Sequence, residues 1–380
     1  VGGIICFFLF SLKVSEPVFQ GKTASYWVDH IDTSDEAEKA LRQIGTNAIP
    51  MLLAKLQAKD SKFKTWLIAL ADKQDFMEIN FKTAEDEYRL AVKGFGILGE
   101  NATSAVPALI EMYDRNPTVN ERIAMVVGNI GPSAKAAIPS LMRRAASTNN
   151  DVRDSAVFAL GQIHSAPESV VPMLIKALGD PFQQVRSDAV RGLAAFGTNS
   201  KAAIPILLDL ASDSHPVIRS EVMDALRLTQ GDSRVVVPVL KRALGDSNDF
   251  VRARAAYALG AFGTNSIPAI PSLLALAADT NFRVRDLTVC ALGEIQSEPQ
   301  IVVPVLIKAL NDRDSRWIRA NAAEGLGNFG TNATEAIPAL IELYFNEKKR
   351  FGADEPDIVG KIRESIKKIS PEAATKAGVQ

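Results

Sequence analysis

Seven prolines constrain this chain more than any other feature: Pro139, Pro172, Pro205, Pro238, Pro271 and Pro304 recur every 33 residues, and Pro338 follows at 34. A second period lies on the first. Pro172, Pro238 and Pro304 stand in Val-Val-Pro, whereas Pro139, Pro205, Pro271 and Pro338 stand in Ala-Ile-Pro, so the duplicated unit is a pair of repeats about 66 residues long. A period of this size marks a solenoid, in which each unit buries its apolar face only against its neighbours. A chain of 380 residues would otherwise suggest two or three globular domains, but a solenoid grows in one dimension without splitting.

Each unit reads as two helices. The first, helix A, is expected to begin near the proline, whose missing amide in the opening turn costs no intrahelical hydrogen bond. The second, helix B, begins at a β-branched residue followed by arginine: Val152-Arg153, Val185-Arg186, Ile218-Arg219, Val251-Arg252, Val284-Arg285 and Ile318-Arg319. Its apolar stripe, such as Val185, Ala189, Val190, Leu193, Ala194 and Phe196, has helical period, and no alternating strand pattern competes with it. Glycines at 128, 161, 260, 293 and 327 lie inside helix B, where each costs about 1 kcal/mol relative to alanine. Close approach of stacked helices is the expected compensation. Helix B should end at Gly131, Gly197, Gly263 or Gly330 in a left-handed cap, and in alternate units at His164, Gln230 or Gln296.

The pattern Pro-x-Leu-x-x-Ala-Leu-x-Asp (Pro304 to Asp312), then Val-Arg-x-x-Ala-x-x-Ala-Leu-Gly (Val251 to Gly260), resembles HEAT repeats of the short, phycobilisome-lyase-like type over residues 99–370. The front end, Glu16-Pro17-Val18-Phe19-Gln20-Gly21-Lys22 with Tyr26-Trp27 and Gly45 to Pro50, resembles envelope-type bacterial HEAT-repeat proteins of unknown role. The resemblance implies an all-α, right-handed, armadillo-like α-solenoid of about nine helical pairs, in which helix B lines the concave side.

Four regions follow. Residues 1–15 begin VGGIICFFLFSL, too short to span a bilayer, and read as a truncated signal peptide or membrane anchor at the cell envelope. Residues 16–98 form an irregular N-terminal cap, with helices from Ser25, over Asp35 to Ile44, after Ile49 and through Trp66, an irregular stretch from Asp72 to Phe81, and a helix-B equivalent ending at Leu98. Residues 99–370 are the regular array, closed by a polar cap helix over Ile358 to Ile369. Residues 371–380 are expected to be a frayed tail.

The composition offers little pull on nucleic acid: 43 Lys and Arg face 44 Asp and Glu. The prospective helix-B face is of mixed sign, with Asp188, Glu221, Asp224, Glu294 and Glu324 among Arg122, Arg191 and Arg254. His30, His164 and His215 are scattered without the His-Glu pairs that some similar repeats use for iron, so no metal and no cofactor are expected. Cys6 and Cys290 imply no disulfide framework, and Cys290 has no histidine near it in sequence. These absences make a non-catalytic scaffold the expected function. The alternative is a lyase- or chaperone-like module acting on a cofactor-bearing protein.

Two groups of residues remain. The turn aspartates Asp180, Asp213, Asp246, Asp279 and Asp312, with Arg186, Arg219, Arg252, Arg285 and Arg319, are expected to form a structural ladder that sets the stacking register. Five residues after each arginine position lies a column that changes in every unit: Met125, Phe158, Arg191, Asp224, Tyr257, Cys290 and Glu324. Positions that repeat belong to core or register, and positions that vary are free to face a ligand. Met125, Phe158, Arg191, Asp224, Tyr257 and Glu324 are therefore the candidate surface for a protein partner, with contact to a membrane confined to the N-terminal segment.

Overall fold

The structure, a computed structural model, describes residues 16–71, 82–115, 120–351 and 356–379. The apolar leader and the stretch from Asp72 to Phe81 lie outside them. No helix among the described residues is long and apolar enough to cross a membrane. The chain divides into two compact units, Val1–Ala166 and Pro167–Gln380.

The first unit opens with a two-stranded hairpin, β1 (Val18–Phe19) and β2 (Lys22–Thr23). The indole of Trp27 ties this hairpin to the first helix by donating to the Phe19 carbonyl at 3.1 Å. Among its described residues nine α-helices follow: α1 (Ala24–Asp29), α2 (Asp35–Ile44), α3 (Ile49–Leu56), α4 (Lys62–Ala71), α5 (Ala84–Leu98), α6 (Val106–Arg115), α7 (Asn120–Ile130), α8 (Ile138–Arg144) and α9 (Asn150–Ile163). The second unit contains α10 (Pro167–Ala177), α11 (Gln183–Phe196), α12 (Ile204–Leu210), α13 (Pro216–Thr229), α14 (Ser233–Ala243), α15 (Asp249–Ala261), α16 (Ile270–Leu276), α17 (Phe282–Ile295), α18 (Pro299–Ala309), α19 (Arg316–Phe329), α20 (Ile337–Phe351), α21 (Pro356–Ile369) and α22 (Pro371–Lys376). The fold is an all-α helical-repeat solenoid.

In each unit the second helices pack on one another, α5 on α7 on α9, and α11 on α13 on α15 on α17 on α19 on α21, while each first helix packs on its own partner. The stripe read from sequence is the core of these contacts. Val190, Leu193, Leu226, Leu259, Leu292 and Leu326 are fully buried, each contributing roughly 1.5 to 3 kcal/mol. The helix-B glycines let backbones approach. A Cβ on Gly293 would sit 2.5 Å from the Gly325 Cα, and one on Gly327 would sit 2.9 Å from the Ser365 Cα.

Two joints alternate, which explains the longer period. After α11 and α19 the chain turns at Gly197 (φ 52°, ψ −128°) and Gly330 (φ 55°, ψ −134°), then runs through seven residues of 3₁₀ helix into a helix with Ile-Pro at its start. These glycines have positive φ but not the left-handed helical ψ expected for them. They occupy a region open essentially to glycine alone. After α9, α13 and α17 the cap is His164, Gln230 or Gln296, each truly left-handed, with φ near 50° and ψ between 38° and 56°. Here the next helix begins earlier than the sequence suggested. Pro167, Ser233 and Pro299 open α10, α14 and α18, so Pro172, Pro238 and Pro304 lie one and a half turns inside. They are tolerated because all three lie on the exposed side of the helix, where a carbonyl that loses its amide donor can meet water.

The C-terminal end also differs from expectation. Residues 371–376 form α22, capped by Ser370 and packed on α21, and Ala374 and Val379 are buried. These two apolar contacts and the cap give the segment enough burial to order it where fraying was expected.

The aspartate–arginine ladder is continuous through the second unit. Each turn aspartate accepts the amide two residues on: Asp213 from His215, Asp246 from Asn248 and Asp279 from Asn281, all at 2.8 Å. Each arginine ties its own turn to the next. Arg219 donates through Nη1 to the Asp213 carbonyl at 2.9 Å, and through Nε and Nη2 to the two Asp246 oxygens at 2.8 and 2.7 Å. Arg252 grips Asp279 in the same way, Arg285 reaches Asp312, and Arg186 reaches Asp213. At the last rung Glu347 takes the aspartate's place, with Oε1 accepting from Arg319 at 2.6 and 2.9 Å. The pairs are mostly enclosed, which distinguishes them from exposed ion pairs of negligible worth.

Four outcomes are expected. Arg219→Ala should lower stability by about 2 kcal/mol, since hydrogen bonds to a charged partner are lost, and broaden the urea transition as neighbouring units uncouple. Hydrogen bonds from Arg219, against smaller opposition from burial, hold the Asp246 carboxyl below its usual range. Its stabilisation is therefore complete above pH ~4 and lost as pH falls further; the stability difference between wild type and Asp246→Asn should shrink on acidification. Gly330→Ala should cost about 1–3 kcal/mol through backbone strain alone, because no atom lies within 4 Å of the added methyl. Gln296→Gly, at a left-handed cap, should change stability by less than about 1 kcal/mol.

Candidate protein-interaction surface

The variable column faces outward from helix B in both units, and each unit uses it differently. In the first, Met125 is exposed on α7 and Phe158 is half-buried on α9. Met125 lies 3.8 Å from the Tyr88 hydroxyl and joins Arg42, Tyr88, Val92, Lys93 and Asn129 in lining an open groove of about 710 Å³. The arginine three residues before it, Arg122, stands 4.5 Å over the Tyr88 ring and pairs with Glu85. Nearby, Arg89 and Lys93 converge on Asp32 and Arg42 pairs with Glu38.

In the second unit the column is laced together by charge. Arg191 pairs with Asp188 on its own helix and with Glu221 on the next, at 3.1 Å for the latter, and Glu221 also accepts from Ser187 at 2.6 Å. Asp224 pairs with Arg254, and Arg227 stacks 4.8 Å over the Tyr257 ring. Asn321 donates to Asp286 at 2.9 Å, and Glu324 accepts from Lys361 at 2.6 Å. Asp188, Asp224 and Glu324 thus each meet a cation, which is the lateral counterpart of the ladder. Sequence reasoning missed Glu85, Tyr88, Ser187, Arg227, Asp286 and Lys361. The available signal was the helical spacing of three between Asp224 and Arg227, combined with the repeat length that sets Arg254 thirty residues after Asp224.

Burial acts strongly on this face. It pushes the carboxyls of Glu221, Asp224, Asp286 and Glu294 above their usual range, despite Arg191 beside Glu221 and Arg254 beside Asp224. Cys290 is half-buried, and burial together with Glu294, 3.5 Å from its Sγ, pushes the thiol up to about 12. A thiol so held is not a thiolate at neutral pH and is a poor nucleophile. The histidines do not converge. His30 stacks on Tyr26 and His215 binds within its own turn to Asp213, while His164 caps α9. Among the described residues, no group of three His, Cys, Asp or Glu side chains could hold a metal ion.

The repeated helical pairs themselves are found in known proteins. The model of HEAT repeats matches residues 138–227, 171–260, 228–293 and 270–351, together more than half of the chain. By sequence, no curated protein matches it. Among solved structures it is similar to YibA of Escherichia coli, at 21% identity and a TM-score of 0.50 over 76% of this chain and 99% of that one. It is also similar to importin beta, at 14% identity and a TM-score of 0.52 over 92% of this chain and 55% of that one. At these identities the likeness is one of fold. With its 33-residue helical pairs, turn aspartates and helix-B arginines, the chain belongs to the HEAT-repeat family.

Proposed function

We propose that this protein is a non-catalytic interaction scaffold that binds a protein partner on the outward face of its second helices. One observation carries the reading: along helix B the positions that repeat are buried or locked in the ladder, whereas the column through Met125, Phe158, Arg191, Asp224, Tyr257 and Glu324 changes its chemistry in every repeat and stays open to solvent in part. Within each compact unit, a surface specified repeat by repeat suits recognition of an extended protein segment, because aromatic and arginine side chains dominate interface energetics. Membership of the HEAT-repeat family supports a role in protein interaction. The apolar leader supports a position at a cell envelope, with the repeats held beside a membrane.

Crosslinking of the full chain in native membranes identifies the partner. Phe158→Ala with Tyr257→Ala should then weaken its capture at least tenfold, and Met125→Ala, at an exposed position where folding is indifferent, should weaken it measurably. Unchanged capture by all three substitutions would remove this face from consideration. A chain beginning at Glu16 should move from the membrane fraction to the soluble one; equal partition of both forms would refute the anchor.

A further inference from the structure

A second surface lies at the start of the helix-B row in the second unit. There the β-branched residue of each helix turns inward, and Ile218, Val251, Val284 and Ile318 are all buried. The residues just before them turn outward and include large apolar side chains: Val217 is 51% exposed, Phe250 52%, Phe282 47% and Trp317 45%. Leaving such groups half in water forgoes part of the stabilisation that their burial would give. Their alignment on successive helices makes a row rather than scattered exposure.

Arginines are set among these rings. The Arg283 guanidinium lies 5.6 Å from the Phe250 ring centre and 5.8 Å from that of Phe282, and Arg316 lies 5.2 Å from Trp317. Arg283 makes no ion pair within the described residues, and neither does the exposed Arg313. The carboxylates of the same edge are engaged inside the protein: Asp249 accepts from the Asn281 side chain, and Asp312 and Asp314 are held by Arg285. The edge therefore presents apolar rings and an uncommitted guanidinium, with these three carboxylates already hydrogen-bonded inside the protein. The first turns of α15, α17 and α19 open beside it and add positive partial charge.

We propose that the row Val217, Phe250, Phe282, Arg283 and Trp317 docks an extended acidic segment of a protein partner. Carboxylates of that segment would bind the fork of Arg283, whose flanking rings hold the guanidinium in place and reduce its contact with water. Apolar side chains alternating with the carboxylates would lie on the phenyl and indole rings. This rests on the scaffold reading and names a different face and a definite partner chemistry.

Random peptides of about twelve residues, displayed on phage and selected on the immobilised full chain, test it. The selected sequences should be enriched in Asp and Glu alternating with Leu, Phe or Trp. A fluorescein-labelled copy of the commonest one should bind Arg283→Glu at least tenfold more weakly and Phe250→Ala/Phe282→Ala about as poorly, with Arg283→Lys intermediate. Because all these side chains are exposed, thermal melts by circular dichroism should be unchanged, which separates lost binding from lost folding. Peptides without acidic enrichment, or insensitive to Arg283→Glu, would overturn the proposal. Peptides sensitive to Tyr257→Ala but not to Arg283→Glu would overturn it while leaving the scaffold reading intact. Displacement by a single-stranded DNA oligonucleotide at matched concentration would also overturn it, in favour of a general polyanion edge.

Discussion

The continuity of the second unit depends on an arginine that belongs to two turns at once. Its Nη1 closes its own turn on the aspartate carbonyl, and its remaining donors seize the aspartate of the next turn. Apolar stacking alone is non-directional, and helices lined with small aliphatics could slide by a residue without losing much area. The fork geometry of guanidinium and carboxylate admits one register. The glycine contacts depend on that register, because Gly293 faces Gly325 and Gly327 faces Ser365 only when successive helices are aligned.

The same helices have three kinds of surface. One is apolar and buried, one bears the lateral lattice of Arg191, Glu221, Asp224 and Arg254, and the third is the aromatic edge at Phe250, Phe282 and Trp317. The lateral lattice makes the variable column partly structural. Asp224 and Glu221 are raised in pKa by burial although cations stand beside them, so charge pairing there offsets a desolvation cost rather than adding a large stability. An aspartate so committed is a weaker anchor for a partner than the exposed Met125. Arg283, set between two rings and without an ion pair among the described residues, carries no such commitment.

Much of the architecture was legible from residue types and spacing. The ladder was readable because aspartate in a turn and arginine six residues later recur in step, and the α2 boundaries, Asp35 to Ile44, followed from periodicity. The helix-A starts were read too late in alternate units, since Val-Val-Pro looked like an opening and the earlier Pro167 and Pro299 were passed over. The aromatic edge was missed because its members occupy neighbouring columns, Phe250 in one and Phe282 in the other, and so leave no periodic trace.

What the sequence determined by itself is the set of local rules: where helices run, which stripe is buried, and which polar residues recur in step. These follow from period and propensity, both properties of short stretches of chain. Only the tertiary structure decided which of two positive-φ joints each unit uses, that Glu347 ends the ladder, and which charged side chains are spent on neighbours. Those outcomes depend on distances between residues about thirty positions apart, and such distances are fixed by packing, which no local pattern encodes.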